Sequence, residues 1–421
     1  MRILFLTNYY PPHGLGGLER SCQEVFEGLS ARGHTCLLLT SMHGGGNRAS
    51  GHGPVRRWLY PEMDLRPLWN GVTFFTHRKR REAHNLARFE TAVAEFRPDV
   101  IFIWGMWNLH RSLAVLAERL LPGRVAYRFA DYWPTLPSQH EQYWRHEPRD
   151  RWTSLPKRFL RKFALAALAR ERRDVPLRFD HVMCVSVATR RKLLEAGVPV
   201  EHAHVIHTGL DRGKFFSDGR VYRSDPADPL TVLYAGRLNP DKGVHTAVEA
   251  MSRLSGEGRG AVRLEVAGSG SAPYLRELKE RAERTGCAGR VNFLGQVAPE
   301  EMPDLLRARD VLVVPSIWPE PFARVVIEGM MSGIVVVATA SGGTGEVLVD
   351  GRNGLIFPPG DADALAGRLE KLRDDPEFGA RIARIAAQDA DERFSNTAML
   401  AAIEAFLSEA AGGETGAAGP D

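Results

Sequence analysis

The chain has 421 residues, 44% of them apolar and 25% charged, a composition typical of a globular protein with enough apolar residues for two domains. The formal net charge of +4 is modest, so it does not indicate nucleic-acid binding, and partners must be sought in local patches. The four cysteines form no CxxC pair and no apolar run approaches the roughly 18 residues of a membrane helix, so we expect a protein of the reducing cytoplasm.

Apolar runs alternate with amphipathic stretches along the chain, and this alternation favours parallel sheets covered by helices. The first strand leads through a glycine-rich loop into a helix over 19–31. The strands predicted in the first half are 3–7, 36–40, 100–104, 125–129 and 182–186. The strands predicted in the second half are 231–235, 264–267, 291–294, 311–314, 335–338 and 355–357.

The polar stretch 211–229 interrupts the alternation and marks the predicted domain boundary. We therefore predict an α/β protein with two Rossmann-like domains, 1–210 and 211–390. A final helix over 391–410 is predicted to pack back on the first domain. The tail 411–421 is rich in glycine and has little to bury, so we predict that it is disordered.

Polar residues directly after the strands of the second half are the first candidates for a site, because ligands bind at the carboxyl ends of parallel strands. Arg237 and Lys242 stand across a tight turn after one strand and together can neutralise a diphosphate. Gly268 lies in a Gly-Ser-Gly turn that lets a ligand approach the backbone, and the main chain near Gln296 can contact a base. Each turn alone is typical of a protein surface, but their repetition at successive strand ends indicates a ligand site.

The most informative segment is 320–328, which lies between two apolar strands and contains two glutamates. Pro321 suits the first turn of a helix, so we predict Glu320 at the mouth of that helix and Glu328 two turns along. Free backbone N–H groups at a helix start favour an anion. One carboxylate beside the anion and another set back from it suit a ligand with both phosphate and hydroxyl groups, such as a sugar nucleotide.

The stretch 145–178 carries eleven basic and four acidic residues. Its predicted helix has one apolar face flanked by basic residues. The face consists of Phe159, Leu160, Phe163, Ala164 and Ala167, and the flanking residues are Lys157, Arg158, Arg161 and Lys162. This pattern fits a helix lying on an anionic membrane, and it equally fits a solvated helix packed on its own domain. No aromatic-interleaved basic stripe is present, so no nucleic-acid partner is expected.

Four sequence motifs of the second half together resemble those of the family 4 retaining glycosyltransferases of the GT-B fold. The motifs are GRLxxxKG at 236–243, EPFxxxxxE at 320–328, SGGTGE at 341–346 and DGRNG at 350–354. Three weaker similarities, at 11–19, 97–101 and 205–211, extend the resemblance over nearly the whole chain. The resemblance implies two Rossmann-like domains whose parallel sheets face a central cleft, with the acceptor bound by the first domain and the nucleotide sugar by the second.

The resemblance also implies roles for individual residues. Arg237 and Lys242 would hold the donor diphosphate and stabilise charge on the leaving nucleotide, while Glu320 would bind the transferred sugar and Glu328 the ribose. The other residues assigned to the donor are Gly16, Gly17, Gly268, Gln296, Phe322, Ala323 and Arg324. The implied reaction moves a hexose or N-acetylhexosamine, with retention, from a UDP-, GDP- or other nucleotide sugar to an acceptor hydroxyl.

No metal or other cofactor is expected to be obligatory. The resemblance implies that two cations and a helix end take the place of a metal ion, and the fourteen histidines show no metal-binding spacing. Transfer would require closure of the cleft to exclude water.

One position departs from the family pattern. Many members have a histidine before the aspartate at the end of the strand 125–129, and here Ala130 precedes Asp131. Either a neighbour such as Asp131, Arg128, His110 or His13 supplies the missing polar contact, or this branch works without it, or catalysis is impaired. Asp131 is our candidate for orienting the acceptor, with capping of its own loop as the alternative.

Three functions stay open. The first is the glycosyltransferase, the second is another reaction on the same scaffold, such as a nucleotide-sugar epimerase or a phosphorylase, and the third is a noncatalytic nucleotide-sugar-binding protein. The acceptor is a small polar metabolite, for example an aminocyclitol of an antibiotic pathway, or a lipid-linked or cell-surface glycan. Abundant Ala, Arg and Gly suggest a bacterial source, and the basic stretch 145–178 suggests peripheral binding at the inner face of a membrane.

Overall fold

The structure is a computed structural model of the chain. It describes residues 1–13, 16–43, 53–63, 67–146, 151–171, 176–216, 222–223, 225–254 and 260–412. The chain divides into two compact units. The first comprises Met1–Val185, Thr189–Ile206 and Leu400–Asp421, and the second comprises Ser186–Ala188 and His207–Met399.

The first unit is built on a seven-stranded parallel sheet. Its strands are β1 (Arg2–Thr7), β2 (Thr35–Ser41), β3 (Val55–Leu59), β4 (Val100–Gly105), β5 (Val125–Phe129), β6 (His181–Cys184) and β7 (His204–Val205). They are ordered β3-β2-β1-β4-β5-β6-β7. Every residue of β4, β5 and β6 is buried, as expected for parallel strands covered on both faces.

Helices connect these strands. They are α1 (Gly17–Ala31), α2 (Pro67–Thr76), α3 (Arg78–Phe96), α4 (Ser112–Leu120), α5 (Gln139–Arg145), α6 (Arg151–Glu171) and α7 (Val187–Glu195). The last helix of the chain, α15 (Asn396–Gly412), also packs on this unit, because Glu404 pairs with Arg32 at 2.7 Å and with His34 at 2.8 Å. Residues 411 and 412 of the predicted disordered tail end this helix, and 413–421 lie outside the described residues.

The second unit is built on a six-stranded parallel sheet. Its strands are β8 (Leu230–Ala235), β9 (Val262–Ala267), β10 (Val291–Gly295), β11 (Val311–Val314), β12 (Val335–Thr339) and β13 (Leu355–Phe357), ordered β10-β9-β8-β11-β12-β13. The helices are α8 (Arg212–Phe215), α9 (Val244–Arg253), α10 (Ala272–Arg284), α11 (Met302–Arg307), α12 (Arg324–Met331), α13 (Ala362–Asp374) and α14 (Pro376–Arg393).

The predicted α/β class with one parallel sheet in each half is confirmed, and all eleven predicted strands are present. Two strands, β3 and β7, escaped the prediction. Both are edge strands of the first sheet and pair with a neighbour on one side only, so they need no continuous apolar run. The strand β3 accordingly contains Arg56 and Arg57, and β7 has only two residues. None of the described helices is both long and apolar enough to cross a membrane.

The start of the helix α12 differs from the prediction. The helix begins at Arg324 with Ala323 as its N-cap, so Pro321 lies outside its first turn and Glu328 is one turn along, not two. The carbonyl groups before it are engaged elsewhere, because the Glu320 oxygen accepts from Gly343 N–H at 2.8 Å and the Pro321 oxygen from the Ser186 hydroxyl at 2.6 Å. These bonds hold 320–321 in a segment outside the helix that leads into it.

Candidate functional site

Three glycines stack at the carboxyl ends of neighbouring strands of the second unit. Gly268 follows β9 with a φ of +150°, and its N–H donates to the Gly295 carbonyl oxygen at 2.7 Å. A Cβ atom at Gly268 would lie 1.8 Å from the Gly236 oxygen, so no other residue fits without movement of the backbone. The strand ends therefore present a bare backbone edge, with predicted site residue Gln296 exposed just beyond it.

Lys242 and Glu320 form an ion pair across the ends of β8 and β11. The Glu320 side chain is 10% exposed and that of Lys242 is 21% exposed. The same carboxylate oxygen of Glu320 also accepts a hydrogen bond from the Ser316 hydroxyl at 2.7 Å. The predicted diphosphate cation and the predicted sugar carboxylate thus lie in direct contact, with a hydroxyl group fixing the carboxylate.

Backbone hydrogen bonds hold the loops that carry this pair. The N–H groups of Ile317 and Trp318 donate to the Asp241 oxygen at 3.0 and 3.2 Å. Gly243 adopts a φ of +66°, and a Cβ atom there would lie 1.9 Å from the Pro315 oxygen. A glycine is therefore required at position 243, because the loops after β8 and β11 approach each other closely there. This close approach places Lys242 beside Glu320.

Arg324 and Glu328 form a second ion pair, with 2.9 Å between Arg324 Nε and Glu328 Oε1. Both side chains are largely buried, at 10% and 7% exposure, so the pair sits in a low-dielectric setting. The prediction gave Arg324 only a backbone role, and the structure shows that its side chain holds Glu328. The spacing of four residues on one helix was a signal that we did not use.

Arg237 lies exposed after β8, and within the described ranges its guanidinium makes no hydrogen bond or ion pair. Its backbone is fixed, because the Tyr234 hydroxyl donates to the Arg237 carbonyl oxygen at 2.7 Å. Burial first, and then the charge of Glu320, raise the pKa of Tyr234, so its hydroxyl keeps the proton that this bond needs. The charge of Arg237 is thus available to a ligand.

Phe322 and Ala323, also predicted at the site, lead into α12. Ala323 is the N-cap and has extended φ and ψ angles of −80° and 91°. The Phe322 ring is partly buried, with its centroid 5.4 Å from that of His207 and 5.9 Å from that of Phe394. The ring therefore anchors the segment on the core of the second unit, and the amides of the first turn of α12 have no side-chain cap.

Gly16 and Gly17 belong to the first unit, where Gly16 is the N-cap of α1 and Gly17 its first residue. A Cβ atom at Gly16 would lie 2.6 Å from a carboxylate oxygen of Glu19. Glu19, which is only 7% exposed, thus folds back over the start of its own helix. Sequence reasoning missed this residue, although a glutamate three positions after an N-cap is a known helix-start signal.

Asp131 follows β5 in the first unit. Its Oδ1 atom accepts from the Trp133 N–H at 3.1 Å, and its Oδ2 atom is buried with no partner in the described part of the chain. Burial raises the pKa of Asp131 to about 6 against the effect of the Trp133 N–H, and the Glu19 charge adds to the rise. The carboxyl group caps its own loop, as the alternative interpretation held, and still has one oxygen for a ligand.

Of the other three neighbours proposed to replace the missing histidine, Arg128 also has buried nitrogen atoms, Nε and Nη2, without a hydrogen-bond partner in the described part of the chain. Arg128 is 1% exposed, with its guanidinium carbon 4.9 Å from the Trp104 ring centroid, and burial lowers its pKa to about 10. His110 contacts the Ser112 hydroxyl at 2.7 Å and Glu82 at 3.0 Å, and His13 has its ring centroid 6.3 Å from that of His43. Among the described residues, Asp131 and Arg128 are thus the two of these neighbours that keep buried polar atoms without a partner, and Asp131 is the one whose atom can accept a hydrogen bond.

Two further observations bear on ligands. The Ser316 hydroxyl was not predicted at the site, although Ser316 lies only two residues after the end of β11, among the strand ends that were searched for candidates. Within the ranges that the structure describes, no three His, Cys, Asp or Glu side chains come together in a way that could hold a metal ion.

Two units built on parallel sheets, with a pair of opposite charges at the strand ends of the second, define a doubly wound α/β protein, and in such proteins ligands bind at the carboxyl ends of the strands. The sequence profile of the "Glycosyl transferases group 1" matches residues 223–389, and that of "Glycosyltransferase Family 4" matches residues 15–214. Both units are matched, and the chain belongs to the family 4 glycosyltransferases.

Similar sequences include the glycogen synthase of Mycobacterium tuberculosis, which is 26% identical over 97% of this chain and 94% of that protein. The D-inositol 3-phosphate glycosyltransferase of Streptomyces avermitilis is 34% identical, but over only 44% of this chain and 42% of the relative. Membership of this family identifies the protein as a glycosyltransferase.

Solved structures agree on the fold. Sucrose-phosphate synthase of Thermosynechococcus elongatus is similar with a TM-score of 0.73 at 20% identity, covering 97% of this chain and 98% of that one. HepE of Anabaena, solved with UDP-glucose, is similar with a TM-score of 0.69 at 24% identity, covering 97% and 99%. These neighbours are GT-B glycosyltransferases, and the fold of this chain is GT-B.

Proposed function

We propose that this protein transfers a hexose or N-acetylhexosamine from a nucleotide sugar to an acceptor hydroxyl with retention of configuration. The observation that carries the proposal is the Lys242–Glu320 ion pair, together with the exposed guanidinium of Arg237 in the same loop after β8, which makes no ion pair within the described ranges. A cation already beside a carboxylate can hold the diphosphate while the carboxylate accepts hydrogen bonds from the sugar. The UDP-glucose complex of the Anabaena neighbour supports a donor of this class.

In the proposed reaction, the bond between the anomeric carbon and the diphosphate oxygen breaks, and a bond from the same carbon to the acceptor oxygen forms. The acceptor proton passes to the leaving phosphate oxygen, and a nucleoside diphosphate is released. Arg237 and Lys242 stabilise the charge that builds on this leaving group, which is where fixed cations contribute most. We propose that no metal is obligatory, since these two side chains supply that charge.

Glu320 binds the sugar in this proposal and Glu328 binds the ribose. Ser316 fixes Glu320 and Arg324 fixes Glu328, so neither carboxylate has to be ordered when the donor arrives. The glycine backbone at Gly236 and Gly268, which carries no side chains, gives the nucleotide close access to the strand ends. Asp131 orients the acceptor through its unpartnered Oδ2 atom.

The acceptor is proposed to be a small polar metabolite, such as an aminocyclitol, or a cell-surface or lipid-linked glycan intermediate, with transfer taking place in the cytoplasm or at the inner face of the membrane. The names of the relatives refer to compounds as different as glycogen and inositol 3-phosphate. A panel with an α-glucan, a sugar phosphate, an inositol phosphate and an aminocyclitol therefore spans the proposed classes.

The test is incubation of the purified protein with UDP-glucose, UDP-N-acetylglucosamine or GDP-mannose and each acceptor, followed by mass spectrometry. Acceptor-dependent nucleotide release with a glycosylated product is expected. An isomerised donor would identify an epimerase. Donor binding without turnover would favour a noncatalytic nucleotide-sugar-binding protein, the alternative suggested by Ala130 in place of the family histidine.

Glu320→Gln sharpens this test, because the amide keeps the size of the side chain but loses the charge. We expect kcat to fall roughly a hundredfold while donor affinity changes less, as for loss of a group acting at the reacting centre. Glu300→Gln, an exposed glutamate of the same unit, is the matched control and should leave kcat unchanged. Equal kcat for Glu320→Gln and the control would remove Glu320 from the reaction.

A further inference from the structure

The helix α6 presents a continuous exposed arc of basic and aromatic residues. Between 157 and 170 its exposed side chains are Arg158, Phe159, Lys162, Phe163, Ala166, Ala169 and Arg170. At 100° per residue these positions fall within a single arc of less than half a turn. The arc contains three cations, two large aromatic rings and no acidic residue.

The opposite side of the helix is anchored in the first unit. Ala164 is fully buried against Phe74 and Trp144, and Leu160, Leu165 and Leu168 pack partly buried on the same cluster. The sequence analysis placed Leu160 and Ala164 on one apolar face with Phe159 and Phe163, and the structure separates them. Phe159 and Phe163 therefore stay exposed to solvent, although the opposite face of the helix is packed on the first unit.

The exposure of these rings is large for a protein surface. Phe159 is 71% exposed and Phe163 is 60% exposed, and their ring centroids lie 5.6 Å apart, so they form one patch. On the neighbouring helix α2, Phe75 is also 48% exposed, and its ring lies 5.7 Å from that of Trp144 in the buried cluster. Exposed aromatic residues grouped in this way mark an interaction surface.

We infer that this arc, Arg158 to Arg170 of α6, binds the surface of a membrane rich in anionic phospholipid. The partner must accept aromatic rings and cations from the same face, and a bilayer interface does both. The Phe159 and Phe163 rings enter the boundary between headgroups and acyl chains, while Arg158, Lys162 and Arg170 contact lipid phosphates. The inference goes beyond the proposed transfer reaction and does not depend on it.

The charge of the arc favours this partner over a second copy of the chain. Two such arcs facing each other would bring three cations against three, which opposes self-association. An acid-free face instead complements a negatively charged lipid surface, and each basic residue near such a surface raises binding about fivefold. The long Arg and Lys side chains can also reach the phosphates while the rings are inserted.

The experiment is flotation of the full chain with vesicles of phosphatidylcholine alone or mixed with phosphatidylglycerol. Binding is expected to the mixed vesicles, and it should weaken as salt is raised. Phe159→Ser with Phe163→Ser should lower binding at least about tenfold. Changing Arg158, Lys162 and Arg170 to Glu should abolish it.

A matched control changes Arg276, Lys279 and Arg284 of α10 to Glu, which alters the net charge equally on exposed sites of the other unit. This variant should keep most of the binding, and circular dichroism of each variant checks that it is folded. No binding of the wild type to anionic vesicles would overturn the inference, as would equal losses in the control and α6 variants. Concentration-dependent dimerisation abolished by the two serine changes, without vesicle binding, would assign the patch to self-association instead.

Discussion

Replacing Asp131 by asparagine should change how folding stability depends on pH. In the folded chain burial raises the pKa of Asp131 from 3.8 to about 6. Because the folded-state value lies above the unfolded one, ionisation of this carboxyl disfavours the folded state. Below pH about 4 the group is protonated in both states and has no effect, and stability falls as the pH rises from about 4 to about 6. A rise of this size corresponds to a loss of about 3 kcal/mol at neutral pH.

Asparagine keeps the oxygen that accepts from the Trp133 N–H and removes the titrating charge. The difference in free energy of unfolding between Asp131→Asn and wild type should therefore increase by about 3 kcal/mol from pH 3 to pH 7. Other titrating groups cancel in this difference, and any pH-independent effect of the buried amide only shifts the curve.

The assay is urea unfolding at a series of pH values, followed by tryptophan fluorescence. Every tryptophan except Trp318 lies in the first unit, so the signal reports mainly on the unit that contains Asp131. Glu201→Gln, at an exposed glutamate of the same unit, is the control and should stay within about 0.5 kcal/mol at every pH. A flat difference for Asp131→Asn would show that its carboxyl is not desolvated as described.

Two other substitutions test the second unit. Gly268→Ala should destabilise it by ~3 kcal/mol, because the new Cβ atom meets the Gly236 oxygen, whereas Gly367→Ala, within an exposed turn of α13, should stabilise it by up to about 1 kcal/mol in thermal unfolding. Equal effects of the two would argue against the stacked glycine backbone. Glu328→Gln breaks the buried pair with Arg324 and should weaken donor binding about tenfold by calorimetry. Unchanged affinity would remove Glu328 from the donor site.

The fold was largely predictable because buried parallel strands have continuous apolar runs. The run 335–338 is an example, since all residues of β12 are buried. The strand β3 was missed because an edge position tolerates Arg56 and Arg57. Strand periodicity carries little information where only one side of a strand is paired and covered.

The sequence motifs indicated which residues to consider for the candidate site, but not the contacts that these residues make. The motifs placed Lys242 and Glu320 at strand ends, but their ion pair depends on how closely two loops approach, which no local pattern encodes. The start of α12 was misjudged for a similar reason. Pro321 is compatible with a first helical turn, and the tertiary hydrogen bonds of 320 and 321 decide against it.

Binding of a nucleoside diphosphate to wild type and to Lys242→Met tests the central claim most directly. Isothermal titration with UDP and GDP, without acceptor, measures donor-site affinity apart from catalysis. Loss of the Lys242 charge should weaken binding of the preferred nucleotide at least about tenfold, as expected for a charge-assisted contact. Lys279→Met, the same change at an exposed site of the same unit, should bind like wild type. Equal affinities for Lys242→Met and wild type would contradict a diphosphate site at the Lys242–Glu320 pair.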